Sequence, residues 1–129
     1  NMQIHQSAED YLETILMLTQ RMGRVRSIDV VNELGYTKAS VSIAMKKLRE
    51  NGYIAVDGEG NLTLLEPGRE IAERIYSRHR LLTHFFVQLG VDEEVAAEDA
   101  CKAEHILSEQ TLEKIREYAL LHDAQDSVK

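Results

Sequence analysis

Apolar residues recur every three or four positions along most of this chain, which is the spacing of an amphipathic α-helix. The first such segment covers residues 7–21, and two shorter segments follow at 27–34 and 38–51. Gly35 separates the two shorter segments, and Thr37 is placed to cap the second of them. Two short helices joined by a tight glycine turn predict a helix-turn-helix.

The pattern changes after Gly52 to that of two short strands. Residues 53–56 and 62–65 are rich in β-prone side chains, and the segment between them, Asp-Gly-Glu-Gly-Asn, is dense in turn-forming residues. A hairpin directly after a helix-turn-helix is a wing. This order of elements predicts a winged helix.

Helical spacing resumes at Pro67, a residue favoured in the first turn of a helix, and continues to about Leu89. Two further helices are predicted from residue 92 to about 107 and, after a capping Ser108, from 109 to about 122. The expected fold is therefore mainly α. Residues 1–73 are expected to form an N-terminal winged helix-turn-helix domain, which includes a two-stranded wing. A C-terminal helical domain is expected over residues 74–129.

Length and composition favour a globular protein without disulfides or membrane spans. The 129 residues contain 43% hydrophobic side chains and a single cysteine, which excludes an internal disulfide and fits a reducing compartment. The sequence contains no apolar run of membrane-spanning length and no signal-peptide pattern. We therefore expect a cytoplasmic protein without a membrane partner.

The net charge of −7 by itself argues against a nucleic-acid partner, but the charge is unevenly distributed along the chain. Residues 21–49 contain seven Lys or Arg against two acids, a local balance of 7 − 2 = +5. A basic segment on an acidic chain indicates double-stranded DNA as a partner, although the same charges are compatible with a solvated helical hairpin. Thr37, Ala39 and Ser40 are expected at base edges, and Lys46 and Lys47 at phosphates. The full set expected to contact DNA is Arg26, Ser27, Thr37, Lys38, Ala39, Ser40, Ser42, Lys46 and Lys47.

Candidate metal chemistry lies in the segment Ala-Cys-Lys-Ala-Glu-His, residues 100–105. On a helix, Cys101, Glu104 and His105 share one face, because residues three and four apart are neighbours. A thiolate, a carboxylate and an imidazole are donors for a borderline divalent metal. A buried cysteine beside two solvated polar residues explains the same triple. Asp10 and Glu13 also lie three apart and can form either a shared site or a solvated edge.

The chain resembles the metal-dependent repressors typified by the diphtheria toxin repressor and the manganese transport regulator. The resemblance extends from Ser7 to about Tyr118, and the stretches that carry it are residues 8–13, the winged helix, 78–82, 89–92 and 100–108. The last stretch is the most specific. The small size is similar to that of the manganese branch, which lacks the SH3-like domain of the iron branch, so a short form without that domain is expected.

The resemblance implies a set of metal ligands, residue by residue: Asp10, Glu13, His79, Cys101, Glu104 and His105. Cys101 departs from the manganese branch, which has Glu at this position, and agrees with the iron branch. Asp10 agrees with the manganese branch, because the iron branch usually has Met there. Thr83 and Ala97 replace the Glu and the second His of an ancillary site in the iron branch. The chain therefore combines features of both branches.

The resemblance also implies a function. We expect a transcriptional repressor, not an enzyme, that binds operator DNA as a homodimer through its C-terminal helices and controls genes of metal uptake or homeostasis. The expected cofactor is Mn²⁺ or Fe²⁺, for which Zn²⁺, Co²⁺ or Ni²⁺ can substitute. A metal-independent winged-helix regulator, a metal-dependent hydrolase and an activator that uses the same site are the alternatives.

Overall fold

A computed structural model describes residues 6–127, which form six helices and one antiparallel two-stranded sheet. The predicted fold class is confirmed. No helix in this part of the chain is long and apolar enough to cross a lipid bilayer. In chain order the elements are α1 (Gln6–Met22), α2 (Ser27–Leu34), α3 (Lys38–Glu50), β1 (Ile54–Val56), β2 (Leu62–Leu64), α4 (Glu66–Gln88), α5 (Glu93–Ala103) and α6 (Glu109–Ser127).

The predicted bounds of the first four helices agree with the structure to within about a residue, whereas those of α5 and α6 do not. Helix α5 ends at Ala103, four residues before the predicted end near 107. Helix α6 continues to Ser127, beyond the predicted end near 122. The extension has a simple cause, since residues 123–127 contain neither glycine nor proline to stop the helix.

Internal contacts divide the chain into two compact units, Asn1–Arg74 and Ile75–Lys129, with the boundary inside α4. In the first unit, α1 packs against α2, α3 and β2, and α3 packs against β1. Its buried apolar residues include Leu12, Ile15, Val30, Val41, Leu48, Ile54 and Leu62. A functional division into domains 1–73 and 74–129 stays a prediction.

The caps of the helix-turn-helix are the ones that the sequence predicts. Gly35 ends α2 in the left-handed region, with φ of 72°, and its N–H donates to the carbonyl of Val31. The N–H of Ser40 donates to the Thr37 hydroxyl at 3.1 Å, which caps α3. These two local devices fix where α3 begins and therefore which of its residues face outward.

The second unit has its own apolar centre, to which three helices contribute one fully buried residue each. These residues are Leu82 from α4, Ala100 from α5 and Leu112 from α6. Partly buried Leu81, Phe86, Ala103, Leu107 and Ile115 pack around them. The packing holds the C-terminal end of α5 beside α4, which places the segment after α5 next to side chains of α4.

The first turn of α4 contacts the end of the wing so closely that only glycine fits. The N–H of Leu65 donates to the carbonyl of Tyr53 at 3.0 Å. Gly68 then lies against the same carbonyl, and a Cβ added to Gly68 would overlap the carbonyl oxygen and lie 3.0 Å from the carbonyl carbon of Tyr53. Because both sides of this contact are backbone, neither can move away cheaply.

We therefore predict that Gly68→Ala lowers the free energy of unfolding. Overpacking costs about 1–3 kcal/mol, and the higher helix propensity of alanine returns up to about 1 kcal/mol, so the expected net loss is about 1–2 kcal/mol. Urea unfolding followed by circular dichroism measures it. Gly58→Ala is the matched control, because no atom lies within 4 Å of a Cβ at that position. Equal stabilities of the two variants would contradict the assignment.

Candidate metal centre and DNA-contacting surface

The segment after α5 is a turn built around Glu104. The N–H of Glu104 still donates to the carbonyl of Ala100 at 2.9 Å, but the N–H groups of Ile106 and Leu107 both donate to the carbonyl of Ala103. The carbonyl of Glu104 accepts a hydrogen bond from Nη1 of Arg78, at 3.1 Å, instead of one from the following helical turn. The prediction of a helix to residue 107 is therefore wrong, because a side chain of α4 takes the place of the helical partner.

The carboxylate of Glu104 is fully buried between two histidine rings. Its Oε2 lies 2.9 Å from Nδ1 of His79, and its Oε1 lies 3.5 Å from Nε2 of His105. The side chain of Glu104 is 0% exposed and that of His105 is 2% exposed. Within the described part of the chain, Oε1 accepts no hydrogen bond. Burial of a carboxylate is costly unless positive charge offsets it.

The burial of Cys101, Glu104 and His105 rules out one structural explanation of this triple. Cys101 is exposed, whereas Glu104 and the side chain of His105 are buried. This is the reverse of a buried cysteine beside two solvated polar residues. The sulfur of Cys101 and a carboxylate oxygen of Glu104 lie within 4.8 Å of each other. The second unit therefore brings His79, Cys101, Glu104 and His105 together.

The other two predicted ligands, Asp10 and Glu13, belong to α1 in the first unit. Glu13 is only 5% exposed, so it is not the solvated edge that the spacing alone allows. Asp10 is partly buried. Two acids three residues apart on one helical face are close enough to act on one ligand.

Tyr11, between these two acids in sequence, stays a neutral phenol. Burial raises the pKa of Tyr11, and Tyr36 and the negative charge of Asp10 raise it further. The Tyr11 ring packs edge-on against that of Tyr36, with 5.9 Å between centroids. Tyr11 is therefore a packing residue of α1 and not a candidate ligand.

The donor atoms of the second unit fit a divalent transition metal. They comprise two imidazoles, one carboxylate and one thiol, which together suit borderline divalent ions. The buried Oε1 of Glu104 accepts no hydrogen bond from any described residue, so it has lone pairs to offer a cation. The ligand roles of all six predicted residues stay a prediction.

The outward face of α3 carries the residues expected to contact DNA. Val41, Met45 and Leu48 are buried against the first unit. The residues expected to contact DNA from α3 and from its N-cap are all exposed: Thr37, Lys38, Ala39, Ser40, Ser42, Lys46 and Lys47. The polar and basic face is thus open to a partner, as a recognition helix requires. The individual DNA contacts stay predictions.

Arg26 and Ser27 lie at the start of α2, where Arg26 also meets the wing. The N–H of Arg26 donates to the carboxylate of Asp29 at 2.9 Å, and the Arg26 backbone bridges to Asn61. The guanidinium of Arg26 lies beside Gly60, so a Cβ on that glycine would be 3.4 Å from Nε. Arg26 therefore links α2 to the wing, in addition to any contact with DNA.

The tip of the wing is ordered by one carboxylate. Asp57 accepts hydrogen bonds from the backbone N–H groups of Glu59 and Asn61, both at 2.9 Å, and from Nδ2 of Asn61 at 3.0 Å. The side-chain hydrogen bond from Asn61, aided by the backbone bonds, holds the pKa of Asp57 below its usual range. The tip is therefore negatively charged, which disfavours contact between the tip and DNA phosphates.

Arg49 is a candidate DNA contact that sequence reasoning did not select. It lines a cleft of about 260 Å³ between α3 and β1, together with Ser27, Ser42, Met45, Lys46 and Val56. Its spacing of three from Lys46 is the signal that could have placed both on one face.

Comparison with known proteins decides the family. The model described as "Iron dependent repressor, N-terminal DNA binding domain" matches residues 3–62. The model described as "Iron dependent repressor, metal binding and dimerisation domain" matches residues 65–121. The regulator MntR of Lysinibacillus sphaericus is 32% identical over 124 residues, which are 95% of this chain and 89% of that protein. The chain belongs to the iron-dependent repressor family of metal-dependent transcriptional regulators.

Other proteins to which the chain is similar agree with this placement. An uncharacterised HTH-type transcriptional regulator of Methanocaldococcus jannaschii is 36% identical over 113 residues, which are 86% of this chain and 90% of that protein. A solved structure described as a manganese-dependent transcriptional repressor in complex with manganese has a TM-score of 0.80 and 28% identity. It matches 87% of this chain, which spans 52% of that longer chain. The resemblance stated from the motifs is confirmed.

The exposed basic face of this family member leads to a prediction about DNA. Replacing the exposed Lys47 by alanine should weaken the binding of random-sequence and specific duplexes alike, because a phosphate contact carries no sequence information. The slope of log K against log salt concentration should become shallower by about one unit. Fluorescence anisotropy of the Mn²⁺-loaded protein over a series of salt concentrations measures both effects.

The control for this experiment is Lys114→Ala, which removes an exposed lysine from α6 of the second unit. This variant should keep the affinity and the salt slope of the parent. A Lys47→Ala variant that alters sequence preference and leaves the salt slope unchanged would show that Lys47 contacts bases and not phosphates.

Proposed function

We propose that this chain represses transcription by binding operator DNA when a divalent cation, Mn²⁺ or Fe²⁺, occupies a site formed by Asp10, Glu13, His79, Cys101, Glu104 and His105. One observation carries the proposal. The carboxylate of Glu104 is wholly buried, its two oxygens lie 2.9 Å and 3.5 Å from the ring nitrogens of His79 and His105, and Oε1 accepts no hydrogen bond from a described residue.

The division of the ligands between the two units supports a simple mechanism. A bound divalent cation supplies positive charge that offsets the carboxylates. Asp10 and Glu13 belong to the unit that contains the recognition helix, and the other four proposed ligands belong to the unit that contains α6. Ligands from both units make metal occupancy and the placement of α3 interdependent. Operator DNA then tightens metal binding by the same factor by which metal tightens DNA binding.

The donor set is compatible with both Mn²⁺ and Fe²⁺ and does not favour either ion. Carboxylates suit the hard Mn²⁺ ion, whereas the thiolate of Cys101 suits softer ions such as Fe²⁺. Mn²⁺ also binds most weakly in the first-row divalent series, so a manganese response depends on metal availability in the cell. Similarity to the solved manganese-dependent repressor supports manganese, and the family description supports iron. Zn²⁺, Co²⁺ and Ni²⁺ are the proposed substitutes.

We further propose that two copies associate through the C-terminal helices. Helix α6 exposes three large apolar side chains, Tyr118 at 52%, Leu120 at 64% and Leu121 at 66%. The family description of this region as a dimerisation domain supports the same assembly. A symmetric dimer presents two recognition helices to half-sites about 34 Å apart, one turn of DNA. Genes of metal uptake or homeostasis are the proposed targets.

The central test replaces Glu104 by glutamine, which has the same shape but no charge. We expect the affinity for Mn²⁺ to fall by more than about 100-fold, because even the loss of an indirect partner of a ligand costs 10–100-fold. At about 100 times the parent's Kd, Mn²⁺ should stabilise the parent by about 2.7 kcal/mol and the variant by less than about 0.4 kcal/mol. Calorimetric titration and unfolding with and without Mn²⁺ measure these effects.

The matched control is Glu117→Gln, which removes an exposed carboxylate that pairs with Lys114. It should retain the metal affinity of the parent and its metal-stimulated DNA binding. A metal-independent regulator predicts a different outcome, in which neither the parent nor either variant changes DNA affinity when Mn²⁺ or Fe²⁺ is added. That outcome would sink the proposal.

The exposed thiol leads to a prediction about metal selectivity. Cys101→Glu exchanges a soft donor for hard oxygen donors, so the ratio of affinities should shift toward Mn²⁺ and away from Co²⁺ and Fe²⁺. A thiol must lose its proton before it can bind a metal. The metal affinity of the parent should therefore rise with pH above neutrality more steeply than that of Cys101→Glu. Anaerobic metal titrations at two pH values measure both trends.

Cys101→Ser is the control for size, since it removes the sulfur and adds no carboxylate. It should lose the preference for Co²⁺ and the steep pH dependence without the gain in Mn²⁺ affinity. If the parent and both variants have the same metal preference and the same pH dependence, Cys101 is not a ligand.

A further inference from the structure

Arg78 is a buried charged residue that lies outside the proposed set of ligands. Only 8% of its surface is exposed, although its side chain is long and always charged. Its Nη1 donates to the backbone carbonyl of Glu104 at 3.1 Å, and its Nη2 forms an ion pair with the carboxylate of Glu109. The guanidinium therefore joins the turn after α5 to the first residue of α6.

The two contacts of Arg78 differ in their surroundings. The side chain of Glu109 is 78% exposed, so water screens the ion pair from that side. The carbonyl of Glu104 is buried, and its bond to Arg78 is a buried hydrogen bond between two different segments. Loss of a partner for a buried carbonyl costs more than loss of an exposed ion pair. The contact with Glu104 is therefore the stronger reason for a buried arginine at this position.

Arg78 and His79 are consecutive residues of α4, and both reach Glu104. His79 approaches the carboxylate of Glu104, at 2.9 Å from Oε2, while Arg78 holds the backbone carbonyl of the same residue. We propose that Arg78 is a positioning residue of the metal centre, which fixes the backbone of the turn so that the Glu104 carboxylate is held in place before the cation binds. This inference rests on the proposed function.

A fixed ligand favours binding because the ordering cost is met when the protein folds. Without Arg78 the carbonyl of Glu104 would lose this hydrogen bond, while the backbone bonds from Glu104, Ile106 and Leu107 back to α5 would remain. The carboxylate would then sample more orientations. The affinity for metal should fall, even though no ligand has been removed.

The test compares Arg78→Met with Glu109→Gln. Methionine keeps much of the apolar volume and removes both donors, whereas Glu109→Gln weakens the exposed ion pair and leaves the bond to the Glu104 carbonyl. We expect Arg78→Met to bind Mn²⁺ 10–100-fold more weakly than the parent, which is the usual effect of losing a residue that orients a ligand. Glu109→Gln should stay within about threefold of the parent.

Two further readouts separate positioning from simple destabilisation. The visible absorption of bound Co²⁺ reports the coordination geometry, so at saturation it should change in Arg78→Met and not in Glu109→Gln. Urea unfolding of the metal-free variants gives the stability change by itself. If Arg78→Met does not fold, Arg78→Lys takes its place, because lysine keeps the charge but cannot donate to both acceptors in the same way.

The outcomes distinguish this inference from the proposed function. A parent protein that binds neither Mn²⁺ nor Co²⁺ refutes the proposed function, and this inference with it. A parent that binds both ions, with unchanged affinity and an unchanged Co²⁺ spectrum in the folded Arg78 variant, refutes the positioning role alone. Weaker affinity with an altered spectrum in the Arg78 variant, and not in Glu109→Gln, supports it.

Discussion

The burial of one carboxylate sets the requirements for the rest of the second unit. Glu104 has lost all contact with water, and a buried anion is stable only when polar or positive groups surround it. His79 supplies such a group from α4, and His105 supplies one from the next position in the chain. Arg78 satisfies the backbone carbonyl of the same residue. The end of α5 at Ala103 lies where these contacts begin.

How much of the fold the sequence predicts depends on the range of the interactions that decide it. Gly35 and Thr37 act within four residues of where they stand, and they place the bounds of α2 and α3 correctly. The end of α5 depends on Arg78, which is 26 residues away, and no local pattern contains that contact. Helical periodicity likewise predicts that Cys101, Glu104 and His105 lie close together, but it does not predict which of them is buried. Which of them is buried is decided by packing against α4.

The charge of the first unit is divided between its elements in a way that the net charge conceals. Lysines 46 and 47 are exposed on α3, whereas the wing ends in the carboxylate of Asp57, whose pKa is lowered by Asn61. A negatively charged tip opposes close approach to phosphates, whereas the exposed lysines of α3 attract them. Arg26 reduces the negative field of the wing locally, because its guanidinium lies beside Gly60.

The difference in exposure between Glu104 and Cys101 predicts that the two positions differ in their tolerance to substitution. A change at Glu104 alters a buried charge with partners on both sides, so the fold and the site respond together. Cys101 is exposed, and a different donor there needs no rearrangement of the interior. The position at which the two branches of the resemblance differ, Cys or Glu, is thus one where the structure accepts either residue. A change of the proposed donor at Cys101 therefore leaves the buried carboxylate of Glu104 in place.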